Sequence, residues 1–389
     1  MNFSFYIPTD ILFGEGALSQ LHTKKLPGKK AAIIMTGGGS AVRLGYLDRL
    51  KAELALAGCE YMVYNNVLPN PTKDNVMQGA GAVRENGCDF LVALGGGSAI
   101  DAAKAIAIMA TNDGDYWDYV RTGSGKGMPV QNRPLPLVAI TTTAGTGSEA
   151  DAGAVITNVA LNEKTGFGTP FSFPVISIVD PGLMLSVPPR FTVYQGFDVL
   201  FHATECYISS VESFAVDALA IDAIKRVAKY LPRAYCDGSD IEARTQMAWA
   251  NTAAGLCLTF GSLTLEHAME HAMSGVYKDL THGAGLLLIC RDYYENREAV
   301  PALAERMRDM AEAMGSKDPD APHAFTKALG ELMDQCGVGS IKMADFGMQR
   351  ESFAEIVRLS HNHKGYGNER SEITDEIVAD ILEKSFRRG

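Results

Sequence analysis

Three of the chain's eight histidines, His267, His271 and His282, fall in one short stretch, LEHAMEHAMSGVYKDLTHG. His267 and His271 stand four apart, so a helix would carry both on one face, with Glu270 beside them. Two such imidazoles can grip one metal ion while the carboxylate serves as a base. A second candidate lies upstream in GFDVLFHATE (196–205), where Asp198 and His202 are one helical turn apart. Alone, such a pair is more often a hydrogen-bonded core pair than a metal site. With His267, His271 and His282 in the same chain it gains a second meaning, because a carboxylate and several imidazoles from facing helices build a divalent metal site. His361 and His363, in LSHNHKGYGNER, read as parts of a solvated loop.

Three glycine-bearing turns could hold an anionic ligand. LGGGSAIDAAK (94–104) follows an apolar run and opens a helix-like segment. Gly95, Gly96 and Gly97 let backbone amides come close to a ligand, and Ser98 is placed to cap a helix whose N-terminus favours a pyrophosphate. A plain tight turn between strand and helix is the competing reading, and the spacing differs from an ordinary G-x-G-x-x-G. TGGGSAVRLG (36–45) repeats the pattern with Gly37, Gly38, Gly39 and Ser40, with Arg43 nearby and no carboxylate. TTTAGTGSE (141–149) is rich in hydroxyls and ends another apolar run, where ligands sit in open α/β sheets; a loop capping the next helix is the competing reading.

The elements that must position these residues alternate in the first half. KKAAIIMT (29–36), YMVYNNV (61–67), FLVALGGG (90–97), LPLVAITTT (135–143) and VISIVDP (175–181) read as strands. VMQGAGAVREN (76–86) and SAIDAAKAIAIMA (98–110) read as helices between them. That order predicts a Rossmann-like α/β domain, a parallel sheet with helices on both faces, over residues 1–185. From about Pro188 every apolar pattern has helical spacing, predicting an all-α domain over 186–389 after the Pro-rich join VDPGLMLSVPPR.

A chain of 389 residues suits two domains. Its net charge of −11 argues against nucleic acid or an anionic membrane surface as partner. Seven scattered cysteines without a C-x-x-C pair read as free thiols. The opening residues lack the pattern of a signal peptide and no stretch is long enough to span a bilayer, so a cytoplasmic protein is expected.

Taken together and in order, these motifs resemble the iron-containing, or group III, alcohol dehydrogenase family, over nearly the whole chain. GGGSAIDAAK is similar to its pyrophosphate turn, TTTAGTGSE to its nicotinamide-side loop, and GFDVLFHATECYIS with HAMEHAMSGVYKDLTHG to its two metal segments. The resemblance implies a dinucleotide-binding α/β domain followed by a helical domain, with the active site in the cleft between. It implies one divalent metal, Fe²⁺ or Zn²⁺, on Asp198, His202, His267 and His282, with His271 as a non-ligand near the substrate that relays a proton. It places Gly37, Gly38, Ser40, Asn70, Gly95, Gly96, Gly97, Ser98, Thr142, Thr146, Lys164 and Leu183 on the coenzyme. The implied reaction is hydride transfer between a nicotinamide and a small primary alcohol or aldehyde, in a homo-oligomer, a dimer first.

Three departures qualify the match. His282 lies one residue later than the family's usual spacing from His271, which predicts a longer loop over SGVYKDLTHGAGL. Asn368-Glu369-Arg370 stands where N-P-R is common, which puts a role for that loop in doubt. NAD-preferring members often carry an Asp at about the position of Gly37; the glycine here predicts NADP(H) over NAD(H). A zinc metallopeptidase of the H-x-x-E-H type is the alternative of another class, and it leaves Asp198, His202 and the glycine turns unused. A non-catalytic dinucleotide sensor would not need the metal set. A glycerol dehydrogenase-like enzyme is a remoter relative, as is a dehydroquinate synthase-like lyase, whose phosphate and carboxylate would need a basic pocket at odds with the apolar metal segments.

Overall fold

The computed structural model describes residues 2–388. The chain forms two compact units. One is Tyr6–Ser186; the other begins at Val187 and includes the described residues before Tyr6.

The first unit holds eight strands: β1 (Asp10–Phe13), β2 (Lys30–Thr36), β3 (Glu60–Val67), β4 (Phe90–Gly95), β5 (Leu137–Thr141), β6 (Ala154–Asn158), β7 (Glu163–Phe167) and β8 (Ile176–Val179). Its helices are α1 (Ser40–Arg43), α2 (Tyr46–Leu56), α3 (Lys73–Glu85), α4 (Gly97–Met109) and α5 (Tyr116–Tyr119). Six strands form a sheet in the order β1-β8-β5-β4-β2-β3, every pair parallel. Both faces are covered, and strand alternation shows how. Ala32, Ile34, Leu91 and Ala93 pack with α3 and α4, whereas Ala31, Ile33, Val92 and Leu94 pack with α2. This is why the central strands read as continuous apolar runs. The chain runs from β2 outward to β3 and then returns to β4 on the far side of β2. Strand order therefore reverses between β2 and β4, and their C-terminal ends carry the two triple-glycine turns. A ligand crevice is expected at such a switch point.

The sequence reading missed β1, a four-residue edge strand, and the antiparallel hairpin β6–β7. Each hairpin strand has only five residues, and the turn between them is a 3₁₀ segment ending on Asn162 in the left-handed region, so no Gly-Pro punctuation marks it.

The second unit contains helices α6 (Pro189–Ile208), α7 (Phe214–Cys236), α8 (Ile241–Phe260), α9 (Leu265–Val276), α10 (His282–Glu298), α11 (Ala304–Ala313), α12 (Ala324–Gln335), α13 (Phe353–Ser360) and α14 (Asp375–Arg388). No strand occurs among its described residues. The expected longer loop over SGVYKDLTHGAGL is confined to residues 277–281, because α9 continues to Val276 and α10 begins at His282 itself. Among the described residues no helix is long and apolar enough to cross a membrane.

Two helices position the chemistry. In α6 every residue from Gly196 to Ile208 is buried, and in α9 every residue from Leu265 to Gly275. Titratable groups on helices buried all round must find partners inside the protein. Asp198, His202 and Glu205 on α6, and Glu266, His267, Glu270 and His271 on α9, are such groups.

Candidate metal centre

Glycine lets four helices pack closely in pairs. A Cβ at Gly196 of α6 would lie 2.3 Å from Leu231 Cδ1 of α7. At Gly283 of α10 it would lie 2.1 Å from the Tyr194 carbonyl oxygen of α6, and at Gly285 2.8 Å from Glu270 Cγ of α9. Any larger side chain in H-G-A-G would push α10 away, and with it His282 at its first turn.

The result is a cage around one carboxylate oxygen. Asp198 Oδ1 lies 3.5 Å from His202 Nε2, 3.4 Å from His267 Nε2 and 3.4 Å from His282 Nε2. The ligand atoms of the four residues all lie within 4.8 Å of one another. Two atoms bound about 2.1 Å from one ion at a tetrahedral angle lie roughly 3.4 Å apart. The three Asp–His separations match that figure, and they are long for hydrogen bonds. Asp198 Oδ1 and His267 Nε2 are buried and have no hydrogen-bond partner, a costly state unless a cation shares their lone pairs. The donor set fits a divalent ion.

The outer nitrogens are held by carboxylates. Glu205 bonds His267 Nδ1, and Glu270 bonds His282 Nδ1. An ionised carboxylate only accepts, so each Nδ1 must carry the proton and each Nε2 presents its lone pair to the cage. Glu205 also accepts from Thr264 N at 2.7 Å and Thr264 Oγ1 at 2.7 Å. It thus fixes the start of α9 as well as its histidine.

The electrostatics follow. Burial would raise the Asp198 carboxyl, but the imidazoles of His202 and His282 outweigh it and hold the group far below the usual carboxylate range. Burial pushes His202 down to about 4, keeping it neutral. For His267 burial is outweighed by Glu205 and Asp198, which push it up to about 10. A proton and a metal therefore compete for His267 Nε2. Burial raises the Glu266 carboxyl well above its ordinary value.

His271 is also buried, and with Glu270 and His282 forms a second group of close ligand atoms. Glu270, however, turns its carboxylate onto His282 Nδ1. The His202 and His267 rings stack at 4.6 Å, whereas those of His267 and His271 are 6.3 Å apart. The peptidase-like pairing of His267 with His271, Glu270 serving as base, has no support in this geometry.

The expected coenzyme residues fall at the switch point and around it. Gly37 and Gly38 follow β2, and Ser40 opens α1. Gly95 ends β4, and Gly97 and Ser98 lie in the first turn of α4. The helix cap is Gly96 and no side chain caps it; Ser98, expected as the cap, sits inside the helix, two residues past the cap. The first amides of α4 are thus left for a ligand, as a phosphate site requires. The threonine loop lies against this turn: a Cβ at Gly96 would meet Thr143 Oγ1 at 2.6 Å, and one at Gly97 would meet Thr146 Cγ2 at 2.4 Å. Thr142 N donates to Gly95 O at 3.0 Å. Asn70 takes a left-handed φ of 54° just ahead of α3. Lys164 lies on β7 opposite Thr157, and Leu183 sits fully buried in a 3₁₀ turn after β8.

Sequence reasoning missed Glu205, although a glutamate seven residues after Asp198 in an apolar helix was a usable signal. It also placed His363 in a solvated loop. His361 is exposed there, on Asp375 at 2.8 Å. His363 instead packs edge-to-face on His271, with ring centres 4.6 Å apart, and burial pushes it down to about 4.

Comparison with known proteins agrees with the geometry. The family model described as iron-containing alcohol dehydrogenase matches residues 8–181, and that for the family's C-terminal domain matches residues 192–386. Alcohol dehydrogenase 4 of Schizosaccharomyces pombe is 36% identical over 91% of this chain and 82% of its own length. The 1,3-propanediol dehydrogenase of Citrobacter freundii is 34% identical over 99% of both chains. The crystal structure of an archaeal alcohol dehydrogenase from a Red Sea brine pool superposes with a TM-score of 0.94 at 36% identity, covering 99% of each chain. Other relatives are named for NAD or NADH, and a sulfoacetaldehyde reductase from Bifidobacterium kashiwanohense was crystallised in complex with NAD+.

Proposed function

The chain belongs to the iron-containing alcohol dehydrogenase family and is a metal-dependent alcohol dehydrogenase or aldehyde reductase, and we propose which of its residues carry that activity. The family works with a divalent metal and NAD(H). Asp198, His202, His267 and His282 hold the metal in this reading; the observation that carries it is the cage of three imidazole nitrogens 3.4–3.5 Å from one unpaired, ionised carboxylate oxygen. Asp/His₃ ligation accepts Fe²⁺ or Zn²⁺. Glu205 and Glu270 orient two of the rings.

When bound, the metal supplies Lewis acidity toward the substrate oxygen and the nicotinamide carries the hydride. The protein supplies position, which can lower a barrier by about 7–11 kcal/mol in ideal cases. His271, buried beside the cage but outside the ligand set, moves the proton between the substrate oxygen and solvent. The uncapped start of α4, Gly95 to Ser98, holds the pyrophosphate, and Thr142 and Thr146 line the nicotinamide side. Gly37, Gly38 and Ser40 meet the adenosine ribose, while Asn70 and Lys164 contact the coenzyme. Leu183 is fully buried and presents no exposed surface for a contact. The coenzyme thus belongs to residues 1–185 and the metal to residues 186–389.

Two finer points belong to the same reading. A preference for NADP(H) over NAD(H) is supported by the turn at Gly37, which has no carboxylate to repel a 2′-phosphate; relatives named for NAD or NADH weigh the other way. The substrate is a small primary alcohol or aldehyde, and the enzyme works in the cytoplasm as a homo-oligomer. The test is an assay on metal-stripped protein reloaded with Fe²⁺ or Zn²⁺, following oxidation of NADPH and NADH against a panel of short aldehydes. Turnover restored by metal is expected; turnover unchanged by stripping rejects the reading.

A further inference from the structure

His363 is the one imidazole near the metal centre for which the reaction gives no task. It stands at the head of a 3₁₀ turn, Lys364–Gly367, and its Nδ1 accepts from Gly365 N–H at 3.0 Å. That bond leaves the proton of the neutral ring on Nε2. The turn is pressed on the start of α9: a Cβ at Gly365 would lie 2.3 Å from the Thr264 carbonyl oxygen. The residues that follow weld it to three helices. Asn368 O accepts from Ser210 N at 2.8 Å, just after α6. Glu369 Oε1 accepts from Leu265 N of α9 at 3.0 Å and from Tyr293 OH of α10 at 3.0 Å, while Oε2 pairs with Arg297 at 2.7 Å. Arg370 Nε donates to Ile208 O at 3.0 Å.

A loop fastened this firmly holds its first side chain in place, and that side chain meets His271. Ring centres lie 4.6 Å apart at 87°; the other rings beside His271, those of His282 and His267, are 5.5 and 6.3 Å away. As a non-ligand, His271 has no metal bond to fix its orientation. Aromatic rings at this separation favour edge-to-face or offset geometry, so the contact prefers particular orientations of the His271 ring.

We propose that His363 is a positioning residue for His271: its ring, delivered by the turn that Asn368, Glu369 and Arg370 hold in place, sets the orientation of the His271 imidazole. The inference rests on reading His271 as the proton relay. A relay turned from its donor loses rate without loss of substrate or metal binding.

Four variants of the metal-loaded enzyme separate the possibilities. His363→Ala is expected to lower kcat between about tenfold and a hundredfold. KM for coenzyme, metal content and the visible spectrum of the Co²⁺-substituted enzyme should stay as in wild type. His363→Phe keeps the ring and should recover most of the rate. His363→Asn keeps an acceptor for Gly365 N–H and should stay slow. A slow Phe variant beside a fast Asn variant would overturn the proposal, since the turn alone would then matter. So would an unchanged kcat in His363→Ala, or metal loss in it. His271→Ala is the reference: if it leaves kcat unchanged, the relay reading itself fails. If it slows turnover while His363→Ala does not, only the positioning claim falls. Should the Ala variant fail to fold, the Phe and Asn pair still decides.

Discussion

The proposed preference for NADP(H) turns on one residue, Gly37. Gly37 donates its amide to Val67 O at 3.0 Å and faces the Asn65 carbonyl, 3.1 Å from where a Cβ would stand. An aspartate fits there with a shift of a few tenths of an ångström. Like charges about 4 Å apart repel by about 4 kcal/mol at an effective dielectric of 20, ample to reverse a preference. Gly37→Asp should therefore move the ratio of kcat/KM for NADPH over NADH toward NADH by at least about tenfold, mainly through weaker NADPH binding. A wild type that prefers NADH, or a variant whose ratio is unchanged, would show that the turn does not read the 2′ position.

At the scale of elements, α9 carries two histidines of the site and has no side-chain cap of its own. Its opening amides are served from elsewhere, Thr264 N by Glu205 and Leu265 N by Glu369. Glu369 is paired with Arg297, and both side chains are almost wholly buried. Removing one partner of such a pair strands a buried charge at a cost of about 3–5 kcal/mol, whereas replacing both is often close to neutral. Glu369→Gln should lower stability by about that amount in urea unfolding, and adding Arg297→Met should restore most of it. Equal midpoints for the single and double variants would contradict the clamp. The elements themselves were legible where burial leaves a period in the sequence. The central strands, α3, α4 and α6 to α9 announce themselves by apolar spacing and glycine punctuation. The edge strand β1 and the β6–β7 hairpin are short and do not. Asp198, His202, His267, His271 and His282 stood out because carboxylate and imidazole are scarce in apolar helices, whereas the assignment of His271 as the one outside the ligand set came only from the family resemblance. His363 and Glu369 were not legible, because what their side chains touch lies some hundred positions away in the chain.

At the scale of the whole molecule, the family match spans both units, residues 8–181 and 192–386, and in the proposed reading each unit supplies one half of the chemistry. The sheet's switch point and uncapped α4 fit an anionic dinucleotide, and the bundle's buried cage fits a cation. Bulk charge, −11, contributes nothing to either, since both sites are built from local geometry. The central claim is the four-ligand cage with His271 outside it. It is tested most directly by metal content per chain, by elemental analysis, in wild type, His202→Ala and His271→Ala purified alike and reloaded with the same metal. The account predicts one ion in wild type, little or none in His202→Ala with turnover abolished, and one ion in a slowed His271→Ala. Full metal in His202→Ala, or equal loss in both variants, would contradict it.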